Sequence, residues 1–220
     1  QIGDDGINDG KEYVIKTTEK DFDSHQPIAG ISKAQEKETE KFIKNNSGNT
    51  EAFKNNSIAY DNSVAIEGKA DVRQAMVNEV SKDNGKGGTS NANNREYGGI
   101  VDKDETVTTT KPGDVAKPKT DPDASINFQS VTDNTKILFH SHPSGTFVAG
   151  GQQQAEPGSY SISTSTTVSH YVQAPSEIDI SNIGNKTGYV FGMKSGTVYI
   201  YNSSGIQATI PINRFVNPKK

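Results

Sequence analysis

The sequence predicts an α+β fold in which strands form the centre and helices pack outside them. Isoleucine and valine far outnumber leucine, which occurs once, at Leu138, and such β-branched residues favour strands in a core. Two apolar runs, 188–193 and 197–202, are separated by three residues, a spacing typical of a β-hairpin. Residues 71–82 instead repeat apolar side chains at helical spacing. Both types of element are therefore expected to share one core.

Two helices are predicted from capping and periodicity. Ser32 and Gln35 have the form of a capping box that opens a charged helix running to about Asn45. The stripe of the second helix consists of Val72, Ala75, Met76, Glu79 and Val80. This helix is expected to bury against a sheet and to end by Gly85.

Further strands are predicted near both ends of the chain. Residues 3–10 are rich in Asp, Asn and Gly, but Ile7 stands where a calcium loop requires a side-chain oxygen. We therefore predict a turn that leads into a strand over 12–18. Residues 206–210 add a strand before Pro211.

Composition excludes several classes of protein. The 220 residues carry a net charge of −4 and contain no cysteine, so metal ligands must come from histidine and carboxylates. A pI near 5.6 and the lack of a dense basic stripe argue against nucleic-acid binding. No apolar run approaches the ~20 residues that span a bilayer, so no membrane span is expected.

A metal site is indicated by His140 and His142, which follow the apolar run 137–139. Residues two apart on a strand face the same side, so both imidazoles can face one metal ion. An isolated His-x-His is usually a surface strand or loop end, but only four histidines occur in the chain. Asp179 can complete a three-ligand set that leaves a fourth position for water.

Ser176 and Glu96 each also have an interpretation that requires no metal ion. Ser176, in Pro-Ser-x-x-Asp, is a typical helix cap, and Asp179 then lies on the same face of the helix. Glu96 alone could be an exposed carboxylate at a strand end. Their order around the His-x-His motif favours a hydrolytic metal site over these separate explanations.

The order Glu96, His140-x-His142 and Ser176-x-x-Asp179 resembles the JAMM (MPN+) metalloprotease family, also called the JAB domain. The resemblance implies a mixed central β-sheet flanked by helices, with the helix over 71–82 packed beside the zinc. It implies Zn²⁺ bound by the two histidines and Asp179, with Glu96 as general base and acid. Ser176 would stabilise the oxyanion.

The activity that this resemblance implies is that of a hydrolase, a zinc peptidase or isopeptidase acting on protein or peptide substrates, ubiquitin-like proteins among them. The alternative is a non-catalytic or latent JAB-fold module that binds peptide or ubiquitin-like tails. A bacterial branch of the superfamily associated with DNA repair shares the same motifs, so the motifs alone do not define the substrate.

The chain is expected to divide into an N-terminal extension over 1–70, with a junction strand and a charged helix, and a JAB/MPN-like domain over 71–220. Family members place far fewer residues between the second His and the Ser than the 33 found here. The low-complexity insertion, about 146–174, suits an exposed loop or added hairpin. It is either a tolerated surface insertion or a border of the metal site, with His170 or Glu156 blocking the open coordination position.

A biological role is suggested by residues 3–18, which resemble the junction that precedes toxin domains in bacterial Rhs-type polymorphic toxins. This resemblance implies a secreted effector, delivered as the C-terminal part of a larger cell-surface toxin and acting in the target cell. A cognate immunity protein would then be a partner.

Overall fold

The computed structural model describes residues 11–18, 27–54, 56–116, 124–150 and 166–218. Within these ranges the strands are β1 (Glu12–Ile15), β2 (Ser63–Ile66), β3 (Gly98–Asp102), β4 (Val107–Thr109), β5 (Thr135–His142), β6 (Thr146–Gly150), β7 (Thr166–His170), β8 (Thr187–Gly192), β9 (Thr197–Asn202) and β10 (Gly205–Pro211). The helices are α1 (Lys33–Asn45), α2 (Thr50–Lys54), α3 (Ser57–Asp61), α4 (Ala70–Val80), α5 (Glu177–Asn182) and α6 (Ile212–Phe215). The predicted α+β class is confirmed.

The central sheet has the order β10-β9-β8-β5-β3-β4 in the described part of the chain. The sheet is mixed: β5 and β8 are parallel, whereas all the other neighbouring strands of this sheet pair in antiparallel register. The predicted hairpin is formed by β8 and β9, and β10 adds the predicted strand after it. β5, which carries both histidines, therefore lies inside the sheet with partners on each side.

The two faces of β5 contribute to different halves of the core. Ile137 and Phe139 join a cluster with the apolar side chains of α4. Leu138 joins the opposite cluster, which contains Ile180 and Ile183 of the α5 region. Since side chains alternate along a strand, His140 and His142 share the face of Leu138. α4 therefore buries against the sheet as predicted, but it covers the face opposite the two histidines, so the prediction that it lies beside the metal site is wrong.

The strand pair β1–β2 packs on the α4 side of the sheet. β1 pairs with β2 in antiparallel register, and Val14 and Ile66 belong to the same apolar cluster as α4. Arg73 of α4 is buried and donates hydrogen bonds to the Glu12 carboxylate and to the carbonyl oxygen of Val216, the latter at 3.0 Å. This side chain links β1, α4 and the C-terminal segment.

The predicted boundaries are correct for α1, whereas α4 begins one residue and ends two residues earlier than the predicted range 71–82. Ser32 and Gln35 form the expected capping box, and α1 covers the predicted range. α4 ends at Val80 with Ser81 as its C-cap, before Gly85. Among the described helices, none is long and apolar enough to cross a membrane.

The two described strands of the insertion, β6 and β7, pair as an antiparallel hairpin. β6 starts four residues after His142, and Thr146 pairs with His170 at the base of β7. Glu156 and the Asp/Asn/Gly-rich residues 3–10 lie outside the described residues. The hairpin thus leaves and re-enters the fold next to the histidine-bearing strand.

Candidate metal centre

The end of β5 brings two imidazoles together. His140 and His142 are both buried, and their Nε2 atoms lie 3.2 Å apart. This contact follows from the two-residue period of the strand, as the sequence predicted. The two ring nitrogens define one edge of the site.

Helix α5 delivers a carboxylate to this edge. Ser176 is its N-cap: the Asp179 amide donates to Ser176 Oγ at 3.2 Å, and Asp179 Oδ2 accepts from the amide and hydroxyl of Ser176 at 2.6 and 2.7 Å. Asp179 Oδ1 lies 3.3 Å from His140 Nε2, and Oδ2 lies 3.5 Å from His142 Nε2. Ser176 therefore orients Asp179 through one oxygen, while Oδ1 faces His140.

Glu96 reaches the site from the segment between a 3₁₀ helix (Asn91–Asn94) and β3. Its side chain is buried, and Oε1 lies 4.0 Å from His142 Nε2. The close approach of β3 depends on Gly98, which pairs with His140. A Cβ at Gly98 would lie 2.2 Å from the Phe139 carbonyl oxygen and 2.8 Å from His140 Cβ, so only glycine fits this position.

The structure therefore brings together all five residues predicted for the site. Those residues are Glu96, His140, His142, Ser176 and Asp179. Glu96, His140 and His142 each offer a ligand atom within 4.8 Å of one another, a group close enough to hold a metal ion.

Two carboxylates, Asp179 and Glu96, lie near the imidazoles as candidates for the third ligand. Tetrahedral zinc with bonds of about 2.0–2.1 Å places neighbouring ligand atoms about 3.3–3.4 Å apart. The two Nε2 atoms lie 3.2 Å apart, and Asp179 places Oδ1 3.3 Å from His140 Nε2 and Oδ2 3.5 Å from His142 Nε2, so each imidazole faces a different oxygen. Glu96 Oε1 lies 4.0 Å from His142 Nε2. Asp179 therefore makes the shorter contacts, whereas Glu96 belongs to the 4.8 Å group of ligand atoms found among the described residues.

The site is electrostatically suited to a cation. Burial would raise the pKa of Asp179, but the hydrogen bonds and charges of His140 and His142 lower it well below its usual range. Burial raises the pKa of Glu96, and the two imidazoles offset only part of that effect. Burial would lower the pKa of His140, but Asp179 and Glu96 raise it. A buried and a half-buried carboxylate facing two imidazoles form a pocket that a positive ion would stabilise.

The outer nitrogens of the two histidines have different surroundings. His142 Nδ1 lies 2.8 Å from the Val172 carbonyl oxygen. Because a carbonyl only accepts, Nδ1 carries a proton, and in the neutral imidazole Nε2 then presents its lone pair to the site. His140 Nδ1 is buried without a hydrogen-bond partner among the described residues. The His140 ring instead packs edge-to-face with Phe128, with centroids 5.7 Å apart.

The turn after His142 is held by Asp83, a residue that sequence analysis missed. Asp83 is fully buried, and it accepts hydrogen bonds from the Ser144 amide at 2.7 Å, the Ser144 hydroxyl at 2.5 Å and the Gly85 amide at 2.9 Å. The Gly145 amide donates to the Asn93 carbonyl oxygen at 2.7 Å. In the sequence, Asp83 before Asn-Gly indicates only a turn, since its partner Ser144 is 61 positions away.

A cavity of about 470 Å³ opens beside the donor atoms. Glu96, His142, Ser176 and Asp179 form its polar wall. Other walls come from two segments, Ala124, Ser125, Ile126 and Phe128 in one and the residues from His170 to Val172 in the other. His170 lines the cavity, but it is not a member of the 4.8 Å ligand group found among the described residues. The insertion therefore borders the site through its returning strand.

Comparison of the chain with protein-family models, curated proteins and solved structures found no match in any of the three. The function is therefore argued from the geometry and chemistry of this site.

Proposed function

We propose that this protein is a zinc-dependent peptidase or isopeptidase of the JAMM (JAB/MPN+) type. One observation carries the proposal: the His140 and His142 Nε2 atoms lie 3.2 Å apart, Asp179 places one carboxylate oxygen 3.3 Å from His140 and the other 3.5 Å from His142, and the buried carboxylate of Glu96 stands next to them. Three ligands and one adjacent acid–base group are what metal-assisted hydrolysis of an amide needs.

The donor set supports zinc among the common metal ions. Two imidazole nitrogens and one carboxylate oxygen match the ligands of catalytic zinc sites, which leave a fourth position open. The Val172 carbonyl fixes the ring of His142, as outer partners of metal-binding histidines commonly do. When bound, zinc supplies Lewis-acid activation that lowers the pKa of water to about 7.

Glu96 is the proposed proton carrier. Its burial raises its pKa, which brings its affinity for a proton closer to what a general base and acid requires near neutral pH. The carboxylate would accept the proton of the attacking water and pass it to the leaving amine. Its position on the cavity wall gives it access to both groups.

Ser176 is assigned two roles in this proposal. Its amide and hydroxyl orient Asp179 by donating to Oδ2, and its side chain lines the cavity. Once substrate is bound, the hydroxyl proton can turn from Asp179 to the oxyanion that forms at the carbonyl. Removing one donor of this kind lowers turnover by about 10²–10³-fold.

We further propose that the enzyme acts as a secreted bacterial toxin effector with a cognate immunity protein. The support is the sequence resemblance of residues 3–18 to the junctions of Rhs-type polymorphic toxins. Protein substrates in the target cell, ubiquitin-like proteins included, would fit such a role.

The proposal is tested by digesting a proteome-derived peptide library with zinc-loaded protein and identifying the products by mass spectrometry. Glu96→Gln should abolish cleavage and retain about one zinc per chain, because Glu96 is not expected to be a ligand. Glu38→Gln, a change to an exposed glutamate on α1, is the matched control and should cleave normally. Unchanged cleavage by Glu96→Gln, or a wild-type chain that binds no added zinc, would overturn the proposal.

A further inference from the structure

We propose that the cavity beside the metal centre is a subsite for a large apolar side chain of the substrate, next to the bond that is cleaved. This inference rests on the proposed peptidase function. It adds the chemical class of residue that the enzyme selects.

The location of the cavity ties its contents to the reaction. Glu96, His142 and Asp179 all line it, so a group that fills it lies against the proposed ligands and the proposed base. Its volume of about 470 Å³ is in the range of small-molecule binding pockets. A side chain adjacent to the scissile bond is the part of a peptide substrate that can reach this space.

One wall of the cavity is an extended segment with alternating exposure. Ala124, Ile126 and Phe128 are half-buried, whereas Ser125 and Asn127 are exposed. A main-chain hydrogen bond from Ile126 to Glu96 contributes to the electrostatics of that carboxylate, and Thr110 Oγ1 donates to the Asn127 carbonyl oxygen at 3.1 Å. The apolar wall is therefore anchored at Ile126 and at Asn127.

The opposite rim carries apolar side chains that are left open to solvent. Val172 is 69% exposed and Ile178 is 70% exposed, and both line the cavity. In the described part of the chain they are two of only four large apolar residues that are exposed. Their backbones are held in place, since the Val172 carbonyl accepts from His142 and Ile178 lies on α5 beside Asp179. A substrate side chain would cover both.

The chemistry of the lining selects against charged partners. Among the described residues, the lining side chains other than His170 and those assigned to the metal site carry no charge. A Leu, Ile, Met or Phe side chain can exchange water for these walls, whereas an Asp or Lys side chain would lose hydration without gaining a paired charge. Burying such an apolar side chain favours the matching substrate by about 10- to 100-fold.

The test begins with the cleavage-site profile of zinc-loaded wild-type protein on a proteome-derived peptide library. One position flanking the cleaved bond should be enriched in Leu, Ile, Met and Phe. Two synthetic peptides that differ only by Leu or Asp at that position should then differ about 10- to 100-fold in kcat/KM.

Two variants test whether the rim of the cavity causes the preference for apolar side chains. The double variant Val172→Thr, Ile178→Thr keeps similar side-chain shape at Val172 and makes both rim residues polar, so the Leu/Asp ratio should fall several-fold while zinc content is unchanged. Val131→Thr changes an exposed valine, 41% exposed, that does not line the cavity, and it should keep the wild-type ratio. Cleavage without apolar enrichment, or an unchanged ratio in the double variant, overturns the subsite and leaves the peptidase proposal standing.

A peptide-binding measurement tests the apolar subsite even if the protein turns out not to be a peptidase. If the wild-type protein cleaves nothing, isothermal titration of the zinc-loaded wild-type protein with matched peptides containing Leu or Asp still reports on the cavity. Tighter binding of the Leu peptide that is lost in the double variant supports the apolar subsite. Equal binding, or no binding, of the two peptides overturns it.

Discussion

His142 Nδ1 lies 2.8 Å from the carbonyl oxygen of Val172, so the strand that carries the two histidines is hydrogen-bonded to the segment that returns from the insertion. This contact holds the His142 ring with Nε2 facing His140 and Asp179. The same segment supplies part of the cavity wall. The insertion therefore contributes both to ligand orientation and to the proposed substrate cavity.

His140→Ala and His142→Ala are each expected to weaken zinc binding by more than about 100-fold. Each change removes a ligand, whereas losing a residue that only orients a ligand costs about 10- to 100-fold. Competition with a chromophoric chelator measures the affinity. His170→Ala is the matched control, since His170 is an exposed residue of β7 that lines the cavity and is not a proposed ligand, and it should retain wild-type affinity. Equal losses in all three variants would contradict the assignment.

Ser176→Ala separates the two roles of that residue. Loss of the cap and of the hydrogen bond to Asp179 should destabilise the fold by about 1 kcal/mol and weaken zinc binding about 10-fold. If the hydroxyl also stabilises the oxyanion, turnover at saturating zinc falls a further ~10²–10³-fold. Ser176→Thr, which retains the hydroxyl, should restore most of both effects. Turnover restored in full by excess zinc in Ser176→Ala would leave Ser176 with the orienting role alone.

Gly98→Ala tests the close approach of β3 to His140. The added Cβ would meet the Phe139 carbonyl oxygen at 2.2 Å, so one strand must shift, at a cost of about 1–3 kcal/mol. The shift moves His140, and zinc affinity should fall together with stability. Gly184→Ala, where nothing lies within 4 Å of the added Cβ but φ is +62°, should reduce stability without affecting zinc. An unperturbed zinc affinity in Gly98→Ala would show that β3 does not constrain His140.

Asp83→Ala should destabilise the apoprotein by about 2–3 kcal/mol, because it leaves the buried amide of Ser144 and the half-buried amide of Gly85 without their acceptor. Urea unfolding in the presence of a chelator measures this change apart from any metal. Asp114→Ala, at an exposed carboxylate, should leave the urea midpoint near its wild-type value. A midpoint for Asp83→Ala equal to that of the control would show that the turn after His142 is held by other contacts.

Local pattern was sufficient for most of the secondary structure. The Ser32 capping box, the β8–β9 hairpin and the Ser176-x-x-Asp179 cap depend on residues within a few positions of each other, and all three form as predicted. The face covered by α4 was predicted wrongly. A helical stripe shows that one side is buried, but it does not show against which face of a sheet.

The sequence by itself determined the members of the site and the pairing of the two imidazoles, because the period of a strand places residues two apart on one side. Only the tertiary structure decided that Asp179 places one carboxylate oxygen near each imidazole while Glu96 lies 4.0 Å from His142, since these residues come from separate segments. It also decided the burial of Asp83 against Ser144 and the apolar cavity between residues 124–128 and 170–178. These contacts join segments far apart in the chain, and their distances follow from packing of the whole core rather than from any local pattern.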